Sequence, residues 1–309
     1  MKQYILNILF GFIFLLCIFL YFPEFYKLDI HINVSPLHYF LCAIFFLINH
    51  LLRWLRLYLI SGPAALTARS LFSLHFTSSS FGIVLPFRLG DLYRLGALSS
   101  KLQSVSQAIF CLGSEKIIDL GLILCSSFIL FYFFNDGGLQ EFITEPVKLF
   151  FISMIFFVPT IILLSFKQLL LLIDIISTKK INSKTVSSSL NIFRNFLKDI
   201  YPTYNNLKSF RGLIILLTIF IWFFEGLALL IIVPGLTIFS VTLFVLFIAI
   251  SSFAPAGPLN FGVLQLAFFG IAKIYSIETM IYWDDYLLAA YIPIVFIGAV
   301  TFLTTRSSN

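Results

Sequence analysis

Charged residues are scarce in this chain. Only 11% of its 309 residues carry charge, against about 25% in an ordinary soluble domain. With 60% hydrophobic residues, 39 of them phenylalanine, and a mean hydropathy of +1.02, water would not keep such a chain monomeric. Cysteine is equally sparse. Cys17, Cys42, Cys111 and Cys125 lie in or beside apolar runs at no metal-ligand spacing, so they read as small packing residues, with no disulfide framework and no zinc site. The histidines, His31, His38, His50 and His75, are scattered, and none has an obvious carboxylate or cysteine partner nearby in sequence. No metal site, cofactor or catalytic histidine is expected, and no nucleic-acid partner. No polar stretch is long enough for a soluble domain, since the longest polar loop is about 40 residues.

What the chain has in abundance is long apolar runs. A bilayer core of roughly 30 Å needs about 20 apolar residues as helix, and in lipid every backbone N–H and C=O must be paired within the protein. The alternating pattern of a β-barrel is absent. The reading is an all-α polytopic membrane protein forming a single integral membrane domain over residues 1–309. Spans are predicted at about 4–22, 38–60, 116–134, 147–166, 212–233, 237–254 and 286–305. The first resembles a signal peptide, but its apolar stretch is too long and no small-residue cleavage site follows, so it is expected to be retained. Two further segments are hydrophobic but broken or re-entrant: 70–86, rich in Ser and Thr and ending at Pro86, and 255–275, opening with Pro255, Gly257 and Pro258. Broken segments at membrane depth are tolerated where they line a cavity or pack within protein, and in transporters they point to the binding site.

The stretch from Lys167 to Arg211 holds eight basic and two acidic residues and is expected to be cytoplasmic. If 255–275 crosses the membrane there are about eight crossings, and both termini lie on the cytoplasmic side of the cell (inner) membrane. Within this loop Leu190, Phe193, Phe196 and Leu197 share a helical face, with Arg194 and Lys198 on another. That is either a basic amphipathic helix lying on anionic lipid or a positive-inside loop with local helix.

The few charges cluster. In LPFRLGDLYRLG, Arg88, Asp91 and Arg94 stand three apart, which on a helix makes one cation–anion–cation stripe. Pro86 breaks the chain before it, and Gly90 and Gly96 permit close backbone approach. Arginine's planar fork suits phosphate oxygens, so the stripe is a candidate headgroup site; the alternative is an interfacial ion-pair ladder, which contributes little. In SEKIIDLGLIL, Glu115 and Asp119 fall on one helical face. Asp119, inside an apolar run, is costly unless paired, and Arg88 or Arg94 is its expected partner. Arg53 and Arg56 sit near the end of the second span and read as snorkelling side chains. Glu225, near the middle of its span, is a candidate ion-pair or proton site. Asn260 is a candidate cap for a helix starting after Pro258, whose amides could meet an anion, with Gln265 about one turn further on.

Taken together, these pieces resemble the flippase-like transmembrane region of lysylphosphatidylglycerol synthases, known also in stand-alone form. Three landmarks in order carry the resemblance: LPFRLGDLYR, EKIID and PAGPLNFGVLQ. The family commonly has a glycine pair where Leu259 and Asn260 stand, and glutamate where Gln265 stands. The resemblance implies a protein that moves, or helps process, anionic phospholipids or polyprenyl-phosphate lipids. No aminoacyl-transferase domain follows before Asn309, so lipid aminoacylation is not expected. The resulting expectation is a lipid flippase or translocation component, not an enzyme, with Arg88, Asp91, Arg94, Glu115, Asp119, Asn260 and Gln265 at the headgroup and Pro86, Gly90, Pro255, Gly257 and Pro258 shaping a groove. The rival readings are a membrane-embedded glycosyltransferase using Asp91, Glu115 or Asp119, and a non-transporting anchor for a lipid-modifying or glycosyltransferase partner docked on 167–211.

Overall fold

The computed structural model describes residues 34–63, 66–85, 89–133, 184–251, 268 and 282–306. These form helices α1 (Pro36–Ser61), α2 (Ala68–Val84), α3 (Leu89–Leu102), α4 (Val105–Phe133), α5 (Lys184–Ser209), α6 (Arg211–Ile232), α7 (Ile238–Ser251) and α8 (Trp283–Arg306), with no strand among the described residues. The expected spans at 4–22 and 147–166 and the segment 255–275 fall outside the described residues, apart from Phe268 in the last. The protein is an all-α polytopic membrane protein. Among the described residues three helices are long and apolar enough to cross a bilayer: Pro36–Ser61, Arg211–Ile232 and Asp284–Thr304.

Local chemistry sets the helix limits. Ser35 precedes α1 and Pro36 opens it, where a missing N–H costs nothing. Gly62, at φ +97°, closes it, its N–H bonding the Tyr58 carbonyl at 3.1 Å. Of the segment 70–86, expected to be broken, the residues as far as Val84 lie in one uninterrupted helix. Gln103 ends α3 in the left-handed region at φ 54°, and Ser104 caps α4 by accepting the Gln107 N–H at 3.2 Å. Between α6 and α7 the chain turns on Gly235 at φ +81°. Thr237 and Ser240 then cap α7 reciprocally, each hydroxyl taking the other's backbone N–H, at 3.2 and 2.8 Å.

The chain divides into two compact units. The described part of the first comprises α1 through Trp54, Arg69–Ala97 and the residues from Phe220 onward. There α2 meets α8 through small and hydroxylated residues. Thr77 and Thr301 hydroxyls lie 3.2 Å apart, Ser80 donates to the Val295 carbonyl at 3.4 Å, and Gly298 faces Ser80 and the Phe76 carbonyl. Small residues let backbones approach where no hydrophobic effect drives helices together. The second unit comprises Leu55–Ala68 and the described part of Leu98–Ile219. In it α5 packs on α4: Leu197 and Ile200 are buried against Phe110, Phe196 and Tyr204. Phe193 is exposed and stacks on the Phe196 ring, with centroids 6.4 Å apart. The buried stripe of α5 runs through Leu197, Ile200 and Thr203, a spacing of three that follows the contact with α4.

Two of the helices carry exposed apolar rows. Leu213, Leu216, Phe220 and Phe223 on α6, and Ile292, Phe296, Val300 and Leu303 on α8, are all exposed. Rows of this kind suit acyl chains and would be unfavourable in water.

Candidate functional site

Against this apolar exterior, the polar groups inside stand out because each must find a partner. In the second unit Arg56 is 2% exposed. Its guanidinium takes Asp119 in a fork, Nη1 donating to Oδ1 at 2.5 Å and Nη2 to Oδ2 at 2.9 Å. Nη1 also donates to the Thr218 hydroxyl at 3.0 Å, and that hydroxyl in turn donates a hydrogen bond to the Ile214 carbonyl at 2.8 Å. Glu115 stands 3.7 Å from Nε. Glu115 and Asp119 thus share one helical face and meet one guanidinium, in the bidentate geometry that arginine favours. Two expectations change here. Arg56 does not snorkel to water, and the guanidinium that holds both Asp119 oxygens is its own, where Arg88 or Arg94 was expected. A buried carboxylate pair needs a cationic partner, and α1 supplies one in Arg56.

In the first unit the centre is Glu225, 6% exposed. Tyr286 donates to its Oε1 at 2.9 Å, and Asn49 donates to its Oε2 at 2.6 Å and to the Ile221 carbonyl at 2.9 Å. Arg53 donates from Nε to the Asn49 side-chain carbonyl at 2.6 Å, holds Nη2 at 3.8 Å from Glu225, and lies 5.1 Å over the Trp222 ring. Asn49 therefore works as a bridge, its amide feeding the carboxylate while its carbonyl takes the arginine. Glu225→Gln is expected to lower stability by about 1–2 kcal/mol, because the amide can still accept from Tyr286 but its NH₂ faces the Asn49 amide and Arg53, both donors. Unfolding in mixed SDS micelles measures it, and a loss below a few tenths would refute the bridge.

Beside this network, His50 Nδ1 and His75 Nε2 face each other at 3.3 Å. Phe46 and Phe76 wall the pair, with ring centroids 5.1 and 6.1 Å from His50. Arg53, one turn along α1, and Arg94 both place positive charge near His50. Tyr39 donates to Asp285 at the start of α8.

Of the expected headgroup residues, Asp91 is exposed in the first turn of α3, and Arg94 lies one turn on with its Nε and Nη2 buried. Gly90 meets the backbone of Gly82 and Ser78. Tyr93 packs edge-on against Phe81 at 5.0 Å, and burial raises its hydroxyl above the ordinary value, so it remains a neutral donor. Arg88, Asn260, Gln265, Pro86, Pro255, Gly257 and Pro258 lie outside the described residues. The histidine pair, Asn49 and Arg53 were not anticipated as site residues. One signal was present: Asn49, Arg53 and Arg56 recur at spacings of four and three along a single apolar helix, a polar face on a span.

Helices with lipid-facing exteriors and buried, hydrogen-bonded charges define an integral membrane protein that keeps a polar interior. The sequence matches the family described as lysylphosphatidylglycerol synthase TM region over residues 4–280, and the chain belongs to that family. No curated protein and no solved structure matches the chain.

Proposed function

We propose that this protein is a lipid flippase or lipid-translocation component of the cell membrane, acting on an anionic phospholipid or a polyprenyl-phosphate lipid. Arg94 and Arg88, oriented by Asp91, grip the headgroup phosphate, while the acyl or prenyl tails stay in the bilayer. The observation that carries this reading is the set of charged and polar side chains that meet among apolar helices, Arg53 with Glu225 and Asn49 above all. Burying a phosphate without partners costs many kcal/mol, and preorganised guanidiniums offset that cost. Membership of a family named for a lipid synthase supports a lipid substrate.

The test is translocation of a headgroup-labelled phospholipid in reconstituted vesicles. Arg88→Ala with Arg94→Ala is expected to slow transfer at least tenfold, with protein insertion unchanged. Transfer at the unaltered rate would reject the role.

A further inference from the structure

We infer that His50 and His75, flanked by Arg53 and Arg94, form a proton-linked anion site that takes a lipid phosphodiester and gains one proton as it does so. The inference rests on the lipid-phosphate reading above and adds to it a second contact point and a coupling to protons.

The geometry supplies the argument. Two imidazole nitrogens at 3.3 Å hydrogen-bond only if one donates and the other accepts. The facing nitrogens therefore have room for one hydrogen, whether the pair is neutral or singly protonated. A second added proton would turn both into donors and part the rings. So the pair holds one extra proton and no more while it stays intact.

The surroundings decide when that proton is favoured. Around the pair stand Arg53 on α1 and Arg94 on α3, with Glu225 on α6 beyond Arg53 and Tyr286 and Tyr291 on α8 beyond Phe46. Arg53 and Arg94 both act on His50. Glu225 stands 3.8 Å from Arg53 and is held by Asn49 and Tyr286. The two tyrosines pack against Phe46, whose ring covers His50. An imidazolium here would add a third positive charge to the two guanidiniums, beside the Phe46 and Phe76 rings, while the Glu225 carboxylate stands 3.8 Å from Arg53. A phosphodiester adds a second negative charge beside the two guanidiniums and offsets the imidazolium. The phosphodiester itself does not titrate near neutral pH, so a proton bound along with it resides on the protein. Arginine fixes the anion and histidine supplies the charge change within the physiological range.

Proton uptake on binding is measured by isothermal titration of the full chain in maltoside micelles, near pH 6.5, in buffers of differing ionisation enthalpy. The probes are dihexanoyl-phosphatidylglycerol and dimethyl phosphate, a free phosphodiester without tails. The wild type is expected to take up about one proton per bound lipid, and His50→Gln with His75→Gln to take up none. If the double variant fails to fold, His50→Gln alone must lose at least half of the uptake. Uptake with both probes places recognition in the phosphodiester, and uptake with the lipid alone makes the tails part of it; either outcome supports the site. Lipid binding with no proton uptake by the wild type, or uptake that persists in the variants, overturns the proton-linked site and leaves the translocation reading standing. Absence of any lipid binding overturns that reading as well.

Discussion

Arg56→Ala is expected to destabilise the protein by about 3–5 kcal/mol, as removing one partner of a buried ion pair does. Arg56 is 2% exposed and holds both oxygens of Asp119, the Thr218 hydroxyl and, at 3.7 Å, Glu115. Alanine leaves two carboxylates at 4% and 7% residue exposure without that cation. A smaller figure deserves comparison. Interhelical hydrogen bonds within membranes average only about 0.6 kcal/mol, because the unfolded state in lipid also finds partners. That average describes neutral groups, which can exchange one partner for another at little cost. An ionised carboxylate deprived of a bidentate guanidinium must protonate or draw in water, so the ionic estimate governs. The measurement is SDS-induced unfolding in mixed micelles. Arg56→Met combined with Asp119→Leu should recover at least half the loss, since it removes the stranded charge along with its partner. A single variant within 1 kcal/mol of wild type would show that Arg56 holds nothing the fold needs.

This pair also marks where sequence reasoning succeeds and where it stops. Hydropathy alone placed α1, α6 and α8, because a lipid solvent demands uninterrupted apolar length and the chain supplies it at 38–60, 212–233 and 286–305. The four-residue spacing of Glu115 and Asp119 placed both on one face, because helix geometry fixes that locally. The identity of their cation was not legible. Arg56 lies 63 residues from Asp119, and which of several arginines arrives depends on how helices pack, a property no local pattern encodes. Arg56 near the end of a span looks like any snorkelling side chain; only burial distinguishes the two. Glu225 was legible as a mid-span carboxylate, while its bridge through Asn49 to Arg53 was not. The histidines were least legible. His50 and His75 are 25 residues apart on different helices, and their pairing appears only when α1 and α2 are set side by side. For α5 the helix was legible, while the packing of Leu197 and Ile200 on α4 was not, because that contact joins segments far apart in sequence.

Gly90→Val is expected to be nearly as damaging, for a different reason. A Cβ at Gly90 would fall onto the backbone N and Cα of Gly82, with the Ser78 carbonyl oxygen at 2.5 Å. None of these atoms belongs to a side chain that can turn aside, so α3 would have to move off α2 as a unit. Overpacking of a dense interior usually costs about 1–3 kcal/mol, and contact with rigid backbone belongs at the upper end. The displacement would reach Arg94, one turn further along α3, so lipid transfer should fall by at least tenfold even in the fraction that remains folded. Gly96 provides the internal comparison. It lies on the same helix, is exposed, and a Cβ there meets nothing within 4 Å. Gly96→Ala should leave transfer unchanged and raise stability by about 0.5–1 kcal/mol, the ordinary gain from replacing glycine inside a helix. Unfolding and vesicle transfer measured on both variants separate the two causes. If helix propensity governed α3, both substitutions would move stability the same way. If the crossing of Gly90 over Gly82 governs it, they move in opposite directions, and only the first silences transport.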